Sequence, residues 1–254
     1  MPTTELPSTD MLYLTFEGNW LRECEAKVLS VEEQQVCLDR TVLHAQGGGQ
    51  PTDVGELRAN DVSVPVAKVL LDRSTGIATH FLESPSEALH PGDTITVHVD
   101  EARRQELSEC HSAGHLVDSA MERCGKLFKP TKGYHFLDGP YVEYEGTIPV
   151  EERTPLVEDL QAAFDKLVEE DIPTKIELLP RAQADAICNR QAQNFDMDVF
   201  ADPRTDEIRV VTVAGYPCPC GGTHVRSTKD LGAWTVTGLK CKKGVVRVKY
   251  GKRG

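Results

Sequence analysis

The sequence contains no apolar run approaching the ~18 residues that a membrane-crossing helix needs. It also lacks a basic-then-apolar leader, since Met1-Pro2-Thr3-Thr4-Glu5 resembles neither a secretion signal nor an arginine-rich transit segment, so a cytoplasmic location is expected. No internal repeat or low-complexity tract stands out. Cysteine is too sparse for a disulfide scaffold: there are 8 in 254 residues. Six of them (Cys24, Cys37, Cys110, Cys124, Cys188, Cys241) stand singly and read as small buried hydrophobes. Positive charge is also short, with 28 Lys+Arg against 40 Asp+Glu and a net charge of −12, which argues against charge-driven, non-specific adhesion to nucleic acid.

What remains is the composition of an ordinary globule, 39% hydrophobic and 27% charged, long enough for one large or two small domains. Against the acidic background, Lys229, Lys240, Lys242, Lys243, Arg247, Lys249, Lys252 and Arg253 crowd into the last 26 residues. The first hundred residues read as strands, over 12–14, 24–29, 35–39, 62–71 and 94–100, with turns at 30–33 and 91–93. That spacing favours a small β-barrel or sandwich. Helical periods follow over 101–124, over 151–171 through Leu156, Leu160, Phe164 and Leu167, and over about 180–189. Strands are expected again over 174–179, 208–213, 233–237 and 245–250. The expected class is α+β, with an N-terminal barrel domain over 1–100 and a second domain over 101–254.

Two short blocks carry metal-ligand chemistry. His111 and His115 are four apart on the first helix, so their imidazoles leave one face with Cβ atoms about 5–6 Å apart. Two ring nitrogens can then reach one ion at ~2.0–2.1 Å. About a hundred residues later, Pro217-Cys218-Pro219-Cys220-Gly221-Gly222-Thr223-His224 brackets a Gly-Gly turn that brings a thiolate and an imidazole together, with either Cys218 or Cys220 as the sulfur. Thiolate plus imidazoles suits Zn²⁺. Ser112 stands where a zinc peptidase would carry its glutamate base, so peptidase chemistry is disfavoured. Gly47-Gly48-Gly49 is followed by Gln50-Pro51 rather than Gly-Lys-Ser/Thr, which excludes a phosphate-binding loop of that type.

Taken in order, the segment Ala45-Gln46-Gly47-Gly48-Gly49-Gln50-Pro51-Thr52-Asp53-Val54-Gly55, the pair His111/His115, and Cys220-Gly221-Gly222-Thr223-His224-Val225 resemble the editing domain of alanyl-tRNA synthetase and its free-standing relatives, the AlaX proteins. The medium-length AlaX type is the nearest in size. The resemblance implies a β-barrel joined to an α+β editing domain holding one Zn²⁺ per chain on His111, His115, Cys220 and His224. It implies ATP-independent hydrolysis of mischarged tRNA(Ala), chiefly seryl- and also glycyl-tRNA(Ala), with the tRNA acceptor end as partner and neither DNA nor membrane involved. His44 departs from the family pattern, in which an aromatic is expected before Ala45-Gln46.

The chemistry agrees with that assignment. An aminoacyl ester is already activated, so water suffices as the nucleophile. Gln50 and Thr41 are the candidate catalytic residues, and Gly47, Gly48, Gly49, Gln50 and Thr223 the candidate substrate-binding ones. Serine exceeds alanine by one hydroxyl, and a site with a polar or metal partner for it separates the two better than the ~10² of an apolar pocket. The basic tail, Lys240, Lys242, Lys243, Arg247 and Lys249, is the candidate tRNA contact. Rival readings are a threonyl-type or other aminoacyl-tRNA deacylase, and a non-catalytic zinc- and tRNA-binding module.

Overall fold

The computed structural model describes residues 6–190, 193–202 and 205–253; the first five residues, on which the leader reading rests, lie outside them. The chain divides into two compact units. One comprises residues 6–47 and 51–105; the other comprises Gly48–Gln50 and residues 106–253.

The first unit contains β1 (Asp10–Met11), β2 (Glu23–Glu32), β3 (Gln35–Leu38), β4 (Arg40–Thr41), β5 (Gly55–Ala59), β6 (Val62–Asp72), β7 (Ile77–Leu82) and β8 (Thr94–Val99). Six of these close into a barrel in the order β2-β3-β7-β6-β5-β8, which leaves no open strand edge. Period-two burial fills it: Ala78, His80 and Leu82 point inward from β7, and Ile95, Val97 and Val99 from β8. Tight turns are made by residues that tolerate a left-handed backbone, such as Asn60 (φ 52°) between β5 and β6. Residues 12–14, expected as a strand, form a single 3₁₀ turn instead. The expected strand set also missed β5 and β7.

Helix α1 (Glu101–Arg123) follows. Asp100 starts it by accepting the Arg103 N–H at 3.0 Å, an N-terminal cap. It stops at Gly125 (φ 69°), where the Lys126 N–H returns to the Met121 carbonyl at 2.9 Å in a Schellman arrangement. Every residue from Cys110 to Met121 is buried. A helix enclosed on all sides has no solvent face for polar groups, so His111, Ser112, His115, Asp118 and Ser119 must each find a partner inside.

The second unit adds β9 (Lys129–Tyr134), β10 (Tyr141–Glu145), α2 (Val150–Glu169), β11 (Lys175–Pro180), α3 (Arg181–Cys188), β12 (Glu207–Val213), β13 (Tyr216–Pro219), β14 (Trp234–Lys242) and β15 (Val245–Lys252). They form a four-stranded sheet, β14-β15-β10-β9, and a three-stranded sheet, β11-β12-β13. The stripe Leu156, Leu160, Phe164 and Leu167 is the buried side of α2. The helix is pinned to β14 where Gln161 Oε1 accepts the Val236 N–H at 2.8 Å. Ala184, Cys188, Met197, Ile208 and Val210 pack together around α3. The architecture is α+β: a six-stranded barrel, then helices and two antiparallel sheets. Among the described residues no helix is long and apolar enough to cross a membrane.

Candidate metal centre

The second unit brings His111, His115, Cys220 and His224 together, all buried, with their ligand atoms within 4.8 Å of one another. Helical spacing supplies the first two, whose ring centroids are 5.1 Å apart. The other two come from the turn after β13. There the Cys220 backbone is clamped to Arg209 on β12, its N–H donating to the Arg209 carbonyl at 3.1 Å and its carbonyl accepting from the guanidinium at 2.6 Å. Gly222 is required by proximity: a Cβ at this position would lie 2.2 Å from His111 Nδ1 and 2.6 Å from Gln50 Oε1.

A hydrogen bond to Gln50 fixes which nitrogen of His111 faces the centre. The Thr223 backbone N–H donates to Gln50 Oε1 at 2.9 Å, so that atom must be the amide oxygen. His111 Nδ1, 2.6 Å from the same oxygen, therefore carries its proton, which leaves Nε2 bare and 3.4 Å from Cys220 Sγ. His224 is held by a parallel pair of contacts. Its Nδ1 lies 3.1 Å from Ser112 Oγ, which also accepts the Val225 N–H, and its Nε2 lies 3.3 Å from the same sulfur. Among the described residues His115 Nδ1 is buried with no hydrogen-bond partner. One thiol proton can serve only one of the bare nitrogens around it.

A divalent ion resolves this shortfall. Bonds of ~2.3 Å to sulfur and ~2.0–2.1 Å to nitrogen at tetrahedral angles put each S···N edge at about 3.5 Å, against 3.4 and 3.3 Å here. Burial pushes His115 down to about 4, with the Arg209 charge acting in the same direction, so its ring is neutral at pH 7 and able to donate a lone pair. Burial raises the Cys220 thiol, opposed by the Arg209 charge and the Gly222 N–H. A thiol so placed is deprotonated by binding a metal rather than by solvent. The cluster fits a metal site.

The remaining candidates fall as follows. Cys218 is outside the cluster, its sulfur turned to the Pro219 carbonyl at 3.6 Å. Gln50 holds His111 with its oxygen and donates to Thr223 Oγ1 at 2.9 Å, leaving one amide hydrogen for another partner. Thr223 Oγ1 is in turn 2.8 Å from Ser108 Oγ. Gly48 (φ 58°) and Gly49 (φ 79°) need left-handed backbone, and a Cβ on Gly49 would sit 2.3 Å from the Gly133 carbonyl. Gly47 and Thr41 belong to the first unit, where the Thr41 hydroxyl meets His80 Nε2 at 2.9 Å and the Leu43 N–H at 3.1 Å. His44 does fill an aromatic slot, edge-on to Tyr13 at 5.1 Å. Lys240 and Lys242 lie on β14, Arg247 and Lys249 on β15, and Lys243 (φ 51°) with Gly244 (φ 78°) makes the tight turn between them.

Two residues escaped the sequence reading. Arg209 is one. The other is His135, buried and stacked on His111 with centroids 4.2 Å apart, its Nδ1 2.5 Å from the Tyr250 hydroxyl. Burial lowers it to about 3. The signal that could have found it is Asp138-Gly139, a hairpin dipeptide between the aromatic stretches Tyr134–Phe136 and Tyr141–Tyr144.

Comparison with known proteins bears on this site. Residues 15–103 match the family model described as tRNA synthetases class II (A), and residues 208–249 match the threonyl and alanyl tRNA synthetase second additional domain. The first stretch contains the glycine-rich segment and the second contains Cys220 and His224; His111 and His115 lie between them. The alanine–tRNA ligase of Methanosarcina mazei is 32% identical over 90% of the chain, and that of Cenarchaeum symbiosum 31% over 96%. The alanyl-tRNA editing protein AlaX-L of Pyrococcus horikoshii is 26% identical over 85% of the chain. The chain spans 24% and 26% of the two ligases and 52% of the editing protein.

Proposed function

We propose, from the premise that this chain is a homologue of the alanyl-tRNA synthetases and of the alanyl-tRNA editing protein AlaX-L, that it hydrolyses the ester bond of mischarged tRNA(Ala) in trans. Its main substrate is Ser-tRNA(Ala) and its second Gly-tRNA(Ala). The observation that carries this reading is the buried His111/His115/Cys220/His224 cluster with its unpartnered His115 nitrogen.

One Zn²⁺ per chain, bound by those four side chains, would supply Lewis acidity and a fixed positive charge beside the aminoacyl group. The protein's own contribution is orientation. Gln50 holds His111 in a single tautomer and Ser112 hydrogen-bonds the outer nitrogen of His224, and such outer partners typically change metal affinity 10–100-fold. The remaining amide hydrogen of Gln50 is a donor for the seryl hydroxyl or the ester carbonyl. An alanyl group offers no hydroxyl for it, which is the asymmetry an editing site needs. Burial of the whole cluster keeps bulk water from competing for these contacts.

Single-turnover deacylation of Ser-, Gly-, Ala- and Thr-charged tRNA, with and without chelator, tests the proposal. The expected result is chelator-sensitive loss of seryl and glycyl ester, with alanyl ester spared. A threonyl preference would move the chain to a threonyl-type deacylase. A full set of four protein donors also favours a second reading, a closed structural ion in a non-catalytic tRNA-binding module. That reading is the one left standing if metal-loaded protein binds tRNA but cleaves no ester.

A further inference from the structure

We propose that the outward face of the four-stranded sheet β14-β15-β10-β9 is a docking platform for the unpaired 3′ nucleotides of an RNA, read by ring stacking and phosphate pairing. The proposal rests on the tRNA reading above and assigns the surface that reading needs.

The pleat sorts these strands cleanly. Val142 and Tyr144 on β10, and Val246, Val248 and Tyr250 on β15, are buried. Their alternates face out, and the register aligns them in rows: Gly238, Lys249, Tyr141 and Tyr134 in one, Lys240, Arg247, Glu143 and Lys132 in the next. On this face Phe136, Tyr134 and Tyr141 form a run of near-parallel rings, with centroids 4.6 and 5.2 Å apart and planes within 17°. The Arg247 guanidinium lies 4.0 Å from the Tyr141 centroid, and the Lys132 ammonium 5.7 Å from it.

Three features commit this surface to single-stranded RNA. First, the rings are only partly covered although the core does not need them. A part-exposed aromatic run flanked by cations is what sequence-tolerant binding of unpaired bases uses. Second, the local charge opposes the charge of the chain. The net charge of the whole sequence is −12, yet this face has more cations than carboxylates. Glu143 is engaged by Arg247 at 2.6 Å, and Glu145 lies 3.9 Å from Lys129. Lys132, Lys240 and Lys249 thus carry the excess. Third, the strand end that holds the rings also packs against the metal centre. Between outward Tyr134 and Phe136, His135 turns inward to stack on His111, and its N–H donates to the Gly49 carbonyl at 2.8 Å. An RNA end laid on the column is therefore carried by the segment that walls the cluster.

The test is anisotropy titration of a labelled ACCA ribonucleotide and of uncharged tRNA(Ala) transcript. Wild-type protein should bind the tetranucleotide. Tyr134→Ala with Tyr141→Ala should weaken binding about tenfold or more, and the Tyr→Phe pair, which keeps the rings, should restore it. Lys249→Gln should lower the slope of log affinity against log salt by about 0.7, one phosphate contact on a single strand. This change of a half-buried, outward-facing side chain tests the platform even if the alanine pair fails to fold. A wild-type protein that ignores the tetranucleotide, as one using this face for a protein partner would, overturns the proposal. So does equal binding by a folded alanine pair. The two proposals fail separately: binding without deacylation removes only the enzyme, and deacylation with ring-independent binding removes only the platform.

Discussion

Helix α1 carries two buried polar clusters, and they solve opposite problems. Near its start, Arg104 is fully buried against Asp53, donating Nε–H to Oδ2 at 2.8 Å and a second N–H to the Val42 carbonyl at 2.6 Å. Two turns on, His111 and His115 face Cys220 and His224, groups that can mostly only accept once their outer hydrogens are placed. The first cluster contains its own counter-charge; the second contains none. Both clusters are buried, so burial alone does not distinguish a structural ion pair from a site that requires a cation. Complementarity does.

The contrast can be broken at its structural end. Arg104→Met leaves the Asp53 carboxylate buried without its cation, and removing one partner of such a pair costs about 3–5 kcal/mol. Urea unfolding should show that loss with bound zinc per folded chain unchanged. If metal content falls in step with stability, the two clusters are not independent.

A second break concerns Asp118, on the same helix, whose carboxylate accepts the Tyr144 hydroxyl at 2.5 Å. Burial raises its carboxyl to about 7 from 3.8. Between those values the folded protein holds a proton that the unfolded chain has released, so this group's contribution falls as pH rises from about 4 to about 7. Asp118→Asn keeps an acceptor for Tyr144 and removes the penalty, worth up to about 4 kcal/mol above pH 7. Melting temperatures at pH 5 and pH 8 should show a larger gain for the variant at pH 8. A gain larger at pH 5 would contradict the sign.

Smaller effects sharpen the metal end. Gln50→Ala frees His111 to rotate or change tautomer and should weaken zinc about 10–100-fold in competition with a chromophoric chelator, while the protein stays folded. An unchanged affinity would mean that the Gln50 contact does not orient His111 for the metal. Cys218→Ala should be the mildest change, within about twofold in zinc affinity, because that sulfur points to its own strand's carbonyl.

Much of this was legible in the sequence because it is local. The four-residue step from His111 to His115, the Gly-Gly turn before His224, and the stripe of α2 all follow from helical or turn geometry over a few residues. What was hidden depends on distant pairing. Gln50 reads as a polar candidate of the glycine-rich segment, but its hold on His111, 61 positions away, emerges only in the fold. His135 is a lone histidine in a stretch broken by Pro130, Gly133, Gly139 and Pro140, so β9 and β10 show no continuous alternation. The 3₁₀ turn at Leu12–Leu14 shows the reverse failure, three residues with strand-like composition being too few to set a period. The choice between Cys218 and Cys220 needed three dimensions.

Zinc K-edge X-ray absorption on protein loaded with one equivalent of zinc probes the cluster itself. A shell of one sulfur at about 2.3 Å and three imidazole nitrogens at about 2.0–2.1 Å is expected, with the sulfur lost in Cys220→Ala and kept in Cys218→Ala. A shell of oxygens, two sulfurs, or a spectrum indifferent to Cys220 would contradict a cation held by His111, His115, Cys220 and His224.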